Sequence, residues 1–313
     1  MIKEEFYFDS RDGENRIHAV RYTPDDGNVR GIVQIVHGMA EYVERYENLA
    51  EFLTKRGILV TGEDHLGHGK SVSEGGTFGY FCEQDPATVV VRDVHRLKKI
   101  TEEQYPQVPY IILGHSMGSF IARNYLCRYG SGIGGAVIVG TGMQSAGLIF
   151  ASKAMAGIQK LFCGPKHVSH FIDKAAFGGY NKRIDSPRTS SDWLSRNTDN
   201  VDRYIADELC GFTFTVNGFQ TLFELIRRLQ KQENLEKVPQ NLPILMVSGA
   251  EDPVGDYGKG VHKACDSLKR AGVKNITVKL YENDRHELLN EDDAEAAMED
   301  IWQWICKEVP GIA

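Results

Sequence analysis

The sequence predicts a doubly wound α/β fold, a mostly parallel sheet with helices on both faces, carrying an inserted helical cap. Three observations predict it. Short, β-branched apolar runs alternate with segments of helical period along most of the chain. The runs are continuous rather than alternating, which suits strands buried on both faces. The rhythm stops near residue 145 and resumes near 239, so the intervening block reads as an insertion.

The chain has 313 residues, 42% of them hydrophobic and 25% charged, with a formal net charge of -7. That length suits one large domain with an insertion or two modest domains. The acidic balance, with no Lys/Arg run, argues against nucleic acid as a partner. The opening MIKEEFYFDSRDG lacks the apolar core of a signal peptide, and no stretch is long and apolar enough to span a bilayer. The six cysteines are scattered without a C-x-x-C pair, which reads as free thiols in a reducing, cytoplasmic setting.

The elements follow in order. Phe6 and Phe8 alternate with polar residues, an Arg11-Asp12-Gly13 turn follows, and Ile17, Ala19 and Arg21 continue the pattern. This reads as an antiparallel hairpin. Strands are expected within 31–38, 57–64, 109–116, 135–142, 243–252 and 276–284. Helices are expected over 46–55, 87–104, 118–129, 258–271 and 293–306; in the second, Val90, Val94, Leu97 and Ile100 fall on one face. In the insertion, 146–162 and 218–232 read as helices, and 181–204 is polar and loop-rich. The expected division is a core of 1–145 and 239–313 with a cap of 146–238.

Gly114-His115-Ser116-Met117-Gly118 ends a strand and opens a helix, the context of a nucleophile elbow. Glycines two residues either side of the serine relieve the crowding of a strained turn. Ser116 is thereby pushed out at the carboxyl edge of the sheet, and the Met117 N–H faces a developing oxyanion. The alternative is a tight strand–helix turn with an incidental serine, so partners must decide. A serine nucleophile needs a base, and the base an orienting acid. Of the histidines after Ser116, His167 and His170 fall in the insertion and His262 in a helical pattern. His286 sits where the last strand's loop leads into the final helix, and is the candidate base. Asp252, just past a strand end, is the candidate acid, with Glu251 and Asp256 as competitors. The loop after 31–38 offers the Met39 N–H as a second oxyanion donor, with His37 bracing the loop. Asp64, His65 and His68 in EDHLGHGKS hint at a metal, but no further ligand set matches; a glycine-rich loop closing the site wall is the preferred reading.

These stations resemble the α/β-hydrolase superfamily, in particular its monoacylglycerol lipase and lysophospholipase branch, grouped with the serine aminopeptidases. The stretches that carry the resemblance are His37-Gly38-Met39-Ala40-Glu41 with Arg45-Tyr46, Asp64-His65-Leu66-Gly67-His68-Gly69 with Ser71, the Gly114–Gly118 pentapeptide, Asp252 and His286. The resemblance implies Ser116, Asp252 and His286 as a triad, Met39 and Met117 as oxyanion hole, and no cofactor.

The expected reaction is ester hydrolysis through an acyl-enzyme on a small lipid-like ester, a monoacylglycerol or lysophospholipid. Short-chain esterase, acyltransferase and amidase or aminopeptidase are the enzymatic alternatives. A ligand-binding receptor on the same fold is disfavoured by the intact triad pattern. An aminopeptidase would need a cap carboxylate to hold an amine; Asp173, Asp185, Asp207 and Glu208 are candidates. Cap aromatics, with Phe150, Phe212 and Phe219 selected, suit an acyl chain, although such residues also build a cap's own core. The helix ending at Phe162 offers a transient membrane contact with Lys153 and Lys160 on its polar side, against the preferred reading that it packs on the body.

Overall fold

Val, Ile and Leu dominate the expected strands, and each run forms one. The computed structural model describes residues 1–312. Its eight strands are β1 (Ile2–Asp9), β2 (Arg16–Thr23), β3 (Gly31–Val36), β4 (Ile58–Glu63), β5 (Tyr110–His115), β6 (Gly135–Val139), β7 (Ile244–Gly249) and β8 (Ile276–Tyr281). They join in one sheet of order β1-β2-β4-β3-β5-β6-β7-β8. The hairpin strands β1 and β2 are antiparallel, and β2 meets β4 antiparallel; all other neighbours are parallel.

Helices α1 (Glu47–Thr54), α2 (Pro86–Gln104) and α3 (Met117–Tyr129) connect the first strands. Helices α4 (Ala146–Cys163), α5 (His170–Phe177), α6 (Thr198–Ala206), α7 (Val216–Leu229) and α8 (Gln232–Leu235) lie between β6 and β7. Helices α9 (Lys259–Arg270) and α10 (Ala294–Glu308) complete the chain. Successive strand residues point to opposite faces, so the sheet divides its core in two. Ile112, Ala136 and Met246 pack with Val90, Val94 and Leu97 of α2 and Ile121 of α3. Their neighbours Ile111, Val137 and Leu245 pack with Leu49 and Leu53 of α1 and Ile301 of α10. The edge strand β8 departs from the expectation of two buried faces: none of its residues is fully buried.

The stretch 181–204 also departs from a purely loop-like reading. Its last residues begin α6, and the Asn197 side chain accepts from the Asn200 N–H at 3.0 Å to cap it. Helix α7 buries Phe219, Leu222, Phe223, Leu225 and Ile226 in the same core as α2 and α3. Asn124 of α3 donates to the Leu225 carbonyl at 3.0 Å. The last long helix of the insertion thus continues the body's helical layer.

Helix α3 can lie directly under β3 only because Gly118 has no side chain. A Cβ there would stand 1.9 Å from the Val36 carbonyl oxygen and 2.5 Å from that of His37. Both are backbone atoms that cannot swing aside. Gly118→Ala is expected to lose at least ~3 kcal/mol of stability by overpacking, measured by urea denaturation.

Candidate active site

The sheet brings Ser116, Asp252 and His286 together from the ends of β5, β7 and β8. Ser116 has φ 54° and ψ -121°, a conformation non-glycine residues rarely adopt. The turn is held by the Ser116 N–H donating to the Val139 carbonyl at 3.0 Å and the Ser119 N–H donating to the Ser116 carbonyl at 2.9 Å. A Cβ at Gly114 would meet the Gly118 carbonyl oxygen at 2.5 Å, so the first glycine of the motif is as constrained as the last.

Asp252 is completely buried. Its Oδ2 lies 3.0 Å from His286 Nδ1 and accepts from the Ser248 hydroxyl at 3.1 Å; its Oδ1 accepts from the Val254 N–H at 2.8 Å. With Nδ1 engaged by the carboxylate, His286 is left with Nε2 for chemistry. The competing carboxylates do not take this place: Glu251 and Asp256 are both exposed. The imidazole is flanked by the His115 ring at 4.8 Å and the Trp193 ring at 5.1 Å between centroids.

Ser116 and His286 open onto one cavity of about 340 Å³, together with Met39 and Met117. The Met117 N–H heads α3, where the helix dipole favours negative charge. Among the described residues, no backbone carbonyl takes up the Met39 or Met117 N–H. His37 braces the Met39 loop: its Nδ1 lies 2.8 Å from the Gly38 carbonyl, and its Nε2 accepts from the His65 N–H at 3.0 Å.

A buried ionic cluster, unrecognised in the sequence apart from the resemblance, holds three of these loops. Glu41 accepts from the Gly38 N–H, from the Tyr46 hydroxyl at 2.8 Å and from Arg45 at 2.8 Å. Arg45 donates to both oxygens of Glu287 at 2.8 Å, and Asn200 of α6 donates to Glu287 at 2.7 Å. His115, the residue before the serine, places Nδ1 3.3 Å from Glu41 and Nε2 3.1 Å from the His286 carbonyl. Burial disfavours the His115 charge, but the hydrogen bond and charge of Glu41 outweigh it and hold the imidazole above its ordinary pKa. Burial likewise opposes ionisation of Glu41, and His115 and Arg45 outweigh it, so this carboxyl lies below the usual range.

Phe212 lines the cavity. Phe150 does not: it is 77% exposed on the outer side of α4. Phe219 is fully buried and packs behind the cavity wall, 6.3 Å from the Phe177 ring. Phe177 and Trp193, which the sequence did not single out, supply apolar wall together with Leu222, one of the apolar cap residues it offered. Of the four cap carboxylates considered, Asp173 reaches the lining, whereas Asp207 accepts from the Tyr42 hydroxyl at 2.8 Å. The EDHLGHGKS loop does not form the wall; it stands behind it, with His68 5.3 Å from the Phe212 ring. Asp64 accepts from the Val43 N–H at 2.9 Å and the Lys70 N–H at 2.8 Å, and contacts His18 Nδ1 at 2.8 Å. Burial pushes the His68 imidazole down to about 3 and His65 well below its ordinary value. Among the described residues, no group of three His, Cys, Asp or Glu is placed to hold a metal.

Comparison with known proteins matches the family model "Serine aminopeptidase, S33" to residues 27–293. The chain belongs to this family. The family relationship extends to a thermostable carboxyl esterase from Bacillus coagulans, solved in complex with glycerol, which superposes with a TM-score of 0.92 at 31% identity over 100% of both chains. The monoacylglycerol lipase of Mycolicibacterium smegmatis is 28% identical, aligned over 91% of this chain and 90% of its own. The monoglyceride lipase of Rattus norvegicus is 27% identical, over 92% of this chain and 86% of its own. The fold is that of the α/β hydrolases.

A histidine whose folded pKa is raised contributes stability that is complete below its unfolded pKa of about 6.5 and is lost as pH rises through the higher folded value. Glu41→Gln removes the charge that sustains the imidazolium. Ring NMR of His115 is expected to show titration at lower pH in the variant. Ester turnover should fall about a hundredfold, the scale of a small misplacement of catalytic groups.

Proposed function

We propose that this protein is a serine hydrolase that cleaves carboxylic esters of lipid-like alcohols, such as a monoacylglycerol or a lysophospholipid. The observation that carries the reading is the buried Asp252–His286 pair facing the same cavity as the strained Ser116. In this reading Ser116 Oγ attacks the ester carbonyl while His286 Nε2 takes its proton. The Met39 and Met117 N–H groups stabilise the oxyanion. His286 then protonates the leaving alcohol, and water activated by the same imidazole releases the acid. Asp252 holds the tautomer and stabilises the imidazolium. Phe177, Phe212, Trp193 and Leu222 offer the acyl chain an apolar wall, which supports a lipid-like ester over a very short one. The reading takes 146–238 as the cap over a core of 1–145 and 239–313. It places the enzyme in a reducing, cytoplasmic setting, consistent with six unpaired cysteines.

A lipid surface is the proposed source of substrate. Among the described residues, no helix is long and apolar enough to cross a membrane. Helix α4 buries Ile149 and Ala156 and pairs Lys153 with Glu224 of α7, so its inward face is the one bearing Lys153. Its other side leaves Phe150, Leu161 and Phe162 at 77%, 85% and 84% exposure. An apolar stripe of this kind suits shallow, reversible insertion between head groups.

Amide hydrolysis is the second reading, favoured by one observation: Asp173 in the cavity wall could hold a substrate amine.

Fatty acid release from a monoacylglycerol is the deciding assay. Ser116→Ala and His286→Ala are each expected to lower kcat by about 10⁴- to 10⁶-fold. Turnover of aminoacyl anilides with none of monoacylglycerol would instead establish the amidase. Replacing Phe150, Leu161 and Phe162 by serine should weaken sedimentation with phospholipid vesicles at least tenfold while leaving hydrolysis of a water-soluble short-chain ester intact.

A further inference from the structure

A second cavity, of about 300 Å³, lies beside the first and shares Tyr180 and Trp193 with it as a common wall. We propose that this cavity binds an oxyanion of the phosphate class through Arg183, Arg196 and Arg285.

The three guanidinium groups are held in place, and among the described residues Arg183 and Arg285 meet no carboxylate, whereas the charge of Arg196 is answered by the protein. Arg285, the residue before His286, donates from Nη1 to the carbonyls of Asp192 at 2.7 Å and Ser195 at 3.1 Å. Those bonds fix the side chain with neutral acceptors, and among the described residues it forms no ion pair with a carboxylate. Arg183 Cζ lies over the Tyr257 ring, 3.4 Å from its centroid. Stacking holds the plane of the guanidinium and leaves its N–H edges free. Arg196 pairs with Asp284, with Asp293 at 3.0 Å and, more distantly at 3.9 Å, with Glu291. Its Nε is nevertheless buried without a hydrogen-bond partner. Glu291 Oε2 stands 3.9 Å away, beyond hydrogen-bond reach, and a buried N–H left in this way is costly.

Donors dominate the rest of the lining. The Tyr257 hydroxyl and the Asn283 amide join the three arginines. Glu251 is the single carboxylate of the lining, and it is exposed, where water screens its charge. Planar guanidinium forks match the paired oxygens of carboxylates and phosphates. A carboxylate has two oxygens to share among these donors, whereas a phosphate has three or four. The donor count therefore favours phosphate.

Two sources share this chemistry: the phosphate head group of an ester substrate, or a free phosphate that acts from beside the catalytic histidine. Only the first rests on the ester-hydrolase reading. The first test does not need turnover. Inorganic phosphate and glycerol 3-phosphate are titrated into the full chain and followed by calorimetry. Saturable binding is expected, retained in Ser116→Ala and weakened at least tenfold in Arg183→Ala and in Arg285→Gln. Arg183 is exposed and, among the described residues, forms no ion pair, so the first variant should keep the parent Tm and isolates the loss of binding from misfolding. Absence of saturable binding, or binding that neither variant alters, would overturn the proposal.

The second test separates the sources. Hydrolysis of a lysophosphatidic acid is compared with that of a monoacylglycerol of the same acyl chain. If the cavity holds the head group, preference for the phosphate-bearing ester falls at least tenfold in Arg183→Ala. If it holds a free anion, preference is unmoved, and inorganic phosphate changes the rate on the monoacylglycerol in the parent but not in Arg183→Ala. Binding with ester turnover but neither kinetic effect would mean an adventitious ion only, and the proposal fails. A chain that binds phosphate in the first test yet cleaves no ester would refute the ester-hydrolase reading alone.

Discussion

The arrangement of the site depends on one buried interaction, the ion pairing of Glu41 with Arg45 and His115 and of Arg45 with Glu287. Each of these groups would be expensive to bury alone, by several kcal/mol per charge, and the cost is offset only because partners meet with their hydrogen bonds filled. The groups come from three places: Glu41 and Arg45 follow β3, His115 ends β5, and Glu287 follows β8. Satisfying their charges therefore fixes the distances between the Met39 turn, the serine elbow and the histidine loop. The sheet brings these loops to one edge; the ion cluster sets their final register.

This division of labour explains what was legible from the amino-acid sequence. The strands were legible because burial on both faces demands unbroken Val, Ile and Leu, and β3 to β7 carry that signal. The elbow was legible because steric limits act within five residues. Asp252 and His286 followed from chain order and from their places beyond strand ends. The contact of His115 with Glu41 spans 74 residues, and nothing local marks it. A histidine between Gly114 and Ser116 looks like part of a turn until its two nitrogens are seen to face a carboxylate and a carbonyl.

The cap aromatics were less legible for a different reason. Composition shows that Phe150, Phe212 and Phe219 are present in the insertion, but the direction of each depends on the rotation of its segment against the body. Helix α7 packs on α3 and turns Phe219 into the core, and α4 turns Phe150 outward. Phe212 precedes α7 in an irregular segment, where neither helical nor strand period applies. The loop of Asp64 and His68 misled in the opposite way. Its glycines suggested a loop closing the site wall, whereas burial and internal hydrogen bonds make it a brace behind that wall.

The insertion is fastened unevenly. Asn200 is bonded to Glu287, and the Gly211 N–H to the Ala40 carbonyl at 2.9 Å, so at these points the cap reaches the loops that carry His286 and Met39. Phe177 and Leu222 touch the cavity through packing alone, with no polar tie to those loops. Substitutions at the second kind of position can reshape the pocket while the reacting groups keep their geometry; those at the first kind disturb both together. A lineage built on this scaffold would thus explore new substrates through its apolar cap positions, with the fastened points changing slowly or in concert with the body.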